Sequence, residues 1–359
     1  MSASNLPNME GPVCPVQLHH QTHIVMGHGS GGRMTQELIA RVFLPHFSNP
    51  ALLAGNDFAS IIPAGVDART ARLAVSTDSH IVSPLFFSGG DIGRLAMCGT
   101  VNDVAMSGAV PVALSAGFIL EEGLPIETLE KVVKSMAEAA REAGVAIIAG
   151  DTKVVEKGKA DGLFITTTGF GWIPEGRQIG GEGAKPGDAV IISGTIGDHG
   201  IAVLTARGDL GFETQVASDV APLNGLIQSV LEITPDVHVL RDPTRGGLAT
   251  TLNEIAAQSS VNITIEETAV PYLPAVQTAC EMLGFDPLYV ANEGKVIVIA
   301  PQEHAASIIE TMHNHPYGKN AVVIGSVNKA PQKRVLLSTR IGSTRILDVL
   351  AGEMLPRIC

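Results

Sequence analysis

Glycine and proline crowd the stretch from Gly176 to Gly187, with Gly180, Gly181, Gly183 and Pro186 between them, and a fresh apolar strand begins at Asp188. Neither a helix nor a central strand tolerates that density of breakers, so the stretch reads as a linker that divides the chain. A chain of 359 residues is in any case too long for one ordinary core. The expected organisation is a flexible leader at 1–26, a first domain at 27–175, the linker at 176–187, a second domain at 188–344 and a mobile tail at 345–359.

In the first half, the helical pattern after Arg33 includes Leu38, Ile39 and Val42. Ala71 to Val75 predicts a buried strand that ends at Ser76-Thr77-Asp78-Ser79, and Asp91 to Ser107 predicts a helix. A strand from Pro111 to Leu120 follows, then a helix opened by Pro125 and closed by Gly144. Val145 to Ala149 predicts a strand that leads into a Gly150-Asp151-Thr152-Lys153 loop, and Leu163 to Phe170 predicts another. The second half predicts strands at 188–193, 261–266, 295–300, 321–327 and 334–338, with helices at 246–258, 274–284 and 302–313. Several strands follow one another without a long helical crossover, so an α+β fold with antiparallel pairs fits better than a doubly wound sheet.

A net charge of −12 and a pI near 5.3 argue against electrostatic binding of nucleic acid or of an anionic membrane. No apolar run approaches the roughly 20 residues of a membrane span, and Met1 to Gly29 does not read as a signal peptide. The four cysteines (Cys14, Cys98, Cys280, Cys359) form no CxxC pair, and a reducing cytoplasm is the simplest home.

Chemistry is concentrated in acidic residues set in apolar company, where a carboxylate is costly unless paired or metal-bound. Asp78 and Asp151 each follow an apolar strand, Asn102-Asp103 sits in an apolar helix, and Asp242 lies in Arg241-Asp242-Pro243-Thr244-Arg245-Gly246-Gly247 before another helix. Converging, such carboxylates make an oxygen-rich site suited to Mg²⁺ bridging phosphates. The glycines at 29–32 and 246–247 could bring backbone N–H groups to those phosphates, with Lys153 and Arg245 adding positive charge. Taken singly, Asp78, Asp151 and Asp242 also read as cap or turn residues, and Asn292-Glu293-Gly294-Lys295 as a solvated turn. His19, His20, His23 and His28 are spaced as solvated residues rather than metal ligands, and Cys98 and Cys280 as inert core thiols. Cys359 is the last residue, so it is either an accidental surface thiol or one presented on a tether to a site elsewhere.

Read together, His28-Gly29-Ser30-Gly31-Gly32, Ser76-Thr77-Asp78-Ser79, Asn102-Asp103-Val104-Ala105-Met106-Ser107-Gly108, Gly150-Asp151-Thr152-Lys153, Asp242-Pro243-Thr244-Arg245-Gly246-Gly247, Ala291-Asn292-Glu293-Gly294-Lys295 and Pro356-Arg357-Ile358-Cys359 resemble the HypE family of hydrogenase maturation factors. The aspartate loops alone would indicate only the wider superfamily of aminoimidazole ribonucleotide and selenophosphate synthetases; the Pro-Arg-Ile-Cys ending singles out the family. The resemblance covers residues 24–359. It implies a two-domain PurM-like α+β fold, a homodimer paired through the first-domain sheet, and an α/β sandwich as the second domain. It further implies ATP and Mg²⁺ in the interdomain cleft. Asp78, Asp103 and Asp242 would hold metal, and Gly29, Ser30, Gly31, Gly32, Asn102, Asp151, Thr152, Arg245, Gly246 and Gly247 would hold nucleotide. Cys359, Glu293 and Lys153 would be catalytic, in an ATP-dependent dehydration of a carbamoyl group on Cys359 to a thiocyanate. The implied partners are the carbamoyltransferase HypF and the HypC–HypD iron scaffold. The competing expectations are another superfamily ATP enzyme with a small soluble substrate, and a metal-binding accessory protein using the N-terminal histidines.

Overall fold

The computed structural model describes residues 32–43, 53–61, 72–208, 214–329, 332–350, 355 and 357–359. The leader at 1–26 and Gly29, Ser30 and Gly31 lie outside the described residues.

The first domain runs α1 (Arg33–Leu38), β1 (Ala59–Ile61), β2 (Arg72–His80), a short hairpin of β3 (Phe86–Phe87) and β4 (Gly90–Asp91), α2 (Ile92–Met106), β5 (Val110–Glu121), α3 (Ile126–Ala143), β6 (Ala146–Val155) and β7 (Leu163–Ile173). Its five-stranded sheet has the order β1-β2-β7-β5-β6, antiparallel except for the β5–β6 pair that α3 connects. One face carries α2 and α3 over a core that includes Leu95, Val101, Leu114, Met136 and Ile165. The other face is open. Helix α3 has the termini expected of it, with Pro125 before its first residue and Gly144 at φ 68 closing it.

Two strands run on past the points where the sequence suggested they end. β2 pairs with β7 over its whole length, so Asp78 is an interior strand residue. Hydrogen-bonded hydroxyls on the open face, Thr77 with Thr168 at 2.8 Å and Ser79 with Thr166 at 2.9 Å, keep this polar stretch extended. β6 likewise continues through Gly150-Asp151-Thr152-Lys153, paired in parallel with Ala116 to Ile119, so these residues form a strand and not a loop.

The second domain runs β8 (Asp188–Ile192), α4 (Asp198–Ala206), α5 (Asn224–Ile233), β9 (Val239–Arg241), α6 (Gly247–Ser259), β10 (Asn262–Glu266), α7 (Pro274–Leu283), β11 (Ile297–Pro301), α8 (Ala305–His313), β12 (Val322–Asn328), β13 (Val335–Ser338) and β14 (Thr344–Leu347). Its seven-stranded sheet has the order β14-β13-β10-β12-β8-β11-β9. All five residues of β8 are buried, because helices cover both faces. Val190 and Ile192 pack with Leu248, Leu252 and Ile255 of α6, whereas Ala189 and Ile191 pack with Leu226 and Val230 of α5 and Ile308 of α8. The second of these clusters also takes in Ala105 and Met106 of α2, so the two domains share a core.

Helix α2 is therefore buried on almost every side and mostly apolar, being enclosed by the first-domain sheet, α3 and the second domain. Asp91 caps it, accepting from the Gly93 N–H at 2.7 Å and the Arg94 N–H at 3.2 Å. The expected tail begins later than residue 345, since β14 pairs with β13. Its last residues are docked rather than free: Ile358 is buried in the first-domain core.

Candidate functional site

Asp103 projects from α2 toward β2, where the Ser76 hydroxyl donates to it at 2.7 Å. Burial, followed by the charges of Asp242, Asp78 and Asp57, pushes its carboxyl well above the usual range. Asp242 follows β9 and is pushed up to about 8, first by burial and then by Asp57. The neighbouring Arg241 is committed elsewhere, to Asp57 at 2.5 Å and Glu254 at 2.6 Å. The sheet and α2 thus bring Asp78, Asp103 and Asp242 into one electrostatic neighbourhood. Among the described residues no three such side chains converge tightly enough to enclose a metal ion by themselves. Hard oxygen donors that do not close a cage suit Mg²⁺, which commonly takes one or two carboxylates and leaves its other positions to phosphate and water.

The C-terminus packs against both domains, with Ile358 in a cluster that takes in Leu95 and Ile165 of the first and Val203 and Ala291 of the second. Its backbone is held like an added strand: Ser83 N–H donates to the Arg357 carbonyl at 3.1 Å and Ile81 N–H to a terminal carboxylate oxygen of Cys359 at 3.3 Å. Cys359 keeps part of its surface accessible, but its thiol is enclosed. Burial raises the thiol pKa first, Arg245 opposes the rise, and the adjacent Glu293 and Asp78, with a hydrogen bond to Glu293, add to it. Glu293 is itself buried, with Oε1 lacking a hydrogen-bond partner, and burial together with Asp78, Asp242 and Asp219 drives its carboxyl well above its ordinary value. Arg245 is the cation among these groups; Cys359, Asp78, Glu293 and Asp103 all strengthen its hold on its proton.

Several expected site residues are scaffold as well. Asn102 donates to the Ala221 carbonyl at 3.0 Å and accepts from the Leu223 N–H at 2.7 Å, tying α2 to the second domain. Gly247 opens α6 at φ 62, and a methyl there would lie 2.6 Å from the Leu288 carbonyl oxygen. Gly246, at φ 79, faces Thr250 as closely. Gly32 lies against the Leu350 carbonyl. Asp151, Thr152 and Lys153 lie on the edge strand β6, with Lys153 bonded to Asp151 at 2.6 Å and both exposed. In register, Asp151 stands opposite Gly117 and Asp78 opposite Thr167, which bonds to α2. Asp151 and Lys153 therefore occupy the open face, and Asp78 the helix-covered one. Within one chain they do not meet.

Sequence reasoning passed over His80, His199, Asp57 and Asp219. His80 is buried 3.7 Å from Asp78 with both ring nitrogens lacking hydrogen bonds, and burial lowers its pKa. Asp219 accepts from the Glu293 N–H at 3.0 Å and pairs with Lys295 at 3.1 Å, fixing the backbone under the buried glutamate. The available signal was a charged or imidazole side chain in an apolar segment, as in Gly197-Asp198-His199-Gly200-Ile201.

Residues 56–173 match the family model for the N-terminal domain of AIR synthase related protein, and residues 185–338 match its C-terminal domain. A carbamoyl dehydratase HypE from Cupriavidus necator is 54% identical over 337 residues, covering 94% of this chain and 95% of that protein. The crystal structure of a HypE–HypF complex superposes with a TM-score of 0.82 at 51% identity, covering 87% of this chain and 99% of that one. A HypE in complex with ATP does so with a TM-score of 0.78 at 50% identity, covering 94% and 100%. In sequence and in fold, this chain belongs to the HypE family, whose curated members include carbamoyl dehydratases.

Proposed function

We propose that this chain dehydrates a carbamoyl group carried on Cys359 to a thiocyanate at the expense of ATP, and so supplies cyanide to the iron of [NiFe]-hydrogenase. The observation that carries the reading is the seat of Cys359: a chain-end thiol buried beside the carboxyl of Glu293 and the guanidinium of Arg245. A solved HypE that holds ATP supports the nucleotide. Its phosphates would lie near Asp78, Asp103, Asp242, Gly246 and Gly247, with Mg²⁺ on the carboxylates offsetting their mutual repulsion and the charge of the triphosphate.

The carboxamide oxygen attacks the γ-phosphorus, the bond to ADP breaks, and the carboxamide becomes an O-phosphorylated imidate. Loss of the nitrogen-bound protons and of phosphate leaves the C≡N group on sulfur. Glu293 takes a proton from nitrogen, and its raised pKa makes its ionised form a stronger base than an ordinary carboxylate. Arg245 stabilises charge developing beside the sulfur. The docked tail excludes water that would hydrolyse the imidate.

Lys153 enters this reading through a second copy. The open face of the first-domain sheet exposes Ile119 opposite Lys153 and, farther along the same strands, Val110 opposite Trp172, which supports a homodimer paired on this face. A solved complex of a relative with HypF supports a carbamoyltransferase as the donor. The HypC–HypD scaffold is the acceptor in this reading, and the cytoplasm is its setting. No helix among the described residues is long and apolar enough to cross a membrane.

The deciding experiment is the mass of the C-terminal peptide after incubation with the carbamoyltransferase, carbamoyl phosphate, ATP and Mg²⁺. Gain of one carbamoyl group on Cys359, then ATP-dependent loss of one water, is the expected result. An unmodified Cys359 alongside a modified relative would overturn the reading in favour of an ATP enzyme with a small soluble substrate.

A further inference from the structure

We infer that His199 is a positioning residue that seats the carrier tail, its imidazole N–H holding the Ile358 carbonyl immediately before Cys359. His199 lies on α4, a helix of the second domain whose other buried residues are largely apolar, and it is itself fully buried. Its Nε2 lies 2.8 Å from the Ile358 carbonyl oxygen and its Nδ1 lies 2.8 Å from the Ser218 hydroxyl. A carbonyl can only accept, so Nε2 carries the proton and Nδ1 accepts from Ser218. Burial holds the pKa below that of an ordinary histidine, in keeping with a neutral ring that uses both nitrogens. The edge-on ring of Phe87, 5.4 Å away, limits its rotation.

The contact completes a clamp on the backbone of the tail. Segment 81–83 of the first domain holds the Arg357 carbonyl and the terminal carboxylate of Cys359, Arg207 reaches the Arg357 carbonyl at 3.1 Å, and His199 holds the Ile358 carbonyl between them. The clamp reads backbone and not the reacting group, so it suits a thiol that arrives in more than one chemical form. Ser218, which fixes the imidazole, adjoins Asp219, which fixes the backbone of Glu293. One loop thereby holds both the tail and the glutamate that faces it.

This inference deepens the carrier reading of Cys359, but labelling the free thiol tests the seat without any turnover, so the two can fail separately. The full chain is treated with iodoacetamide, and each cysteine peptide is followed by mass. In His199→Leu, Cys359 is expected to react roughly tenfold faster than in the wild type, the shift for one lost buried hydrogen bond. His199→Gln, whose amide can donate to the same carbonyl, is expected to stay within about threefold of the wild type. The buried Cys98 and Cys280 remain unlabelled if the fold is intact. Ser218→Ala leaves the ring in place without its anchor, and is expected to accelerate Cys359 by roughly threefold. Unchanged Cys359 labelling in both His199→Leu and Ser218→Ala overturns the inference. So does labelling of Cys98 or Cys280 in step with Cys359, which would make His199 a residue of the fold alone.

Discussion

Substituting alanine for Gly247 separates two costs that the structure presents together. Gly247 has φ 62, a conformation that costs an L side chain about 1–2 kcal/mol. Its new methyl would also stand 2.6 Å from the Leu288 oxygen, 2.7 Å from the Tyr289 carbonyl carbon and 2.7 Å from the Val290 oxygen. All three are backbone atoms and cannot rotate aside, so overpacking adds about 1–3 kcal/mol. Gly144 is the control, with φ 68 and nothing within 4 Å of an added methyl. Gly144→Ala should lose only the conformational part, about 1–2 kcal/mol. Urea denaturation of both variants should therefore place Gly247→Ala below Gly144→Ala by about 1–3 kcal/mol. The consequence for activity follows from position. Residues 288–290 lead directly into Asn292, whose amide donates to the Pro243 carbonyl at 2.8 Å, and into Glu293. A displacement of the order of 1 Å there should slow single-turnover dehydration about a hundredfold while Cys359 still accepts a carbamoyl group. Equal stability losses in the two variants would refute the steric argument, and a lost hundredfold without a stability difference would refute the route through backbone displacement.

Glu293→Gln should keep loading of Cys359 and nucleotide binding but slow dehydration by about 10²–10⁴. Because the base must be ionised, the wild-type single-turnover rate should rise with pH through a pKa above the ordinary 4.5, and the glutamine variant should lack that limb. Asp242 binds its proton more tightly folded than unfolded, so its contribution to stability is lost as pH rises from 3.8 to about 8. Thermal melts of the nucleotide-free protein should show this decline, and Asp242→Asn should flatten it. Trp172→Glu, on the open sheet face, should shift sedimentation from dimer toward monomer without lowering monomer stability.

Periodicity made α3 legible in the sequence because one side of it faces water, and Pro125 and Gly144 mark its ends. α4 is almost wholly buried, so it carries little polar contrast and the sequence does not mark it; α5, which buries only Leu226, Ile227, Val230 and Leu231, is two-sided but short and lacks a capping signal. The ends of β2 and β6 were misjudged for a different reason. Asp78 and Asp151 look like turn residues by type, but hydroxyl pairs and a parallel neighbour extend both strands beyond the apolar run. Cys359, Glu293 and Arg245 could be named from motifs, and the structure brings them together. Their supports could not be named, because Ser218, Asp219 and His199 act through backbone atoms distant in sequence. Nor does a motif report which sheet face a residue occupies. Lys153 and Asp78 sit in equally plausible motifs on opposite faces of one sheet.

If Cys359 carries the carbamoyl group as proposed, the docked thiol also bears on how two reactions of one sulfur are kept apart. Accepting a carbamoyl group requires the thiolate, since the thiol is a poor nucleophile. In its seat Cys359 is driven the other way, with burial, Glu293 and Asp78 outweighing the help of Arg245. Loading is thus disfavoured where the tail is docked, and proceeds where water restores an ordinary thiol pKa. Dehydration has the opposite requirement: once the sulfur carries a neutral carboxamide, no charge opposes return to the seat, and the same burial that suppressed the thiolate strengthens Glu293 as a base. The contacts that dock the tail, Ile358 in the core and the clamp on the Arg357 and Ile358 carbonyls and the terminal carboxylate, do not involve the sulfur. Exchange between the two environments can therefore be governed by the charge on one atom, which makes the seat selective for the loaded carrier over the thiolate without any group that recognises the carbamoyl itself.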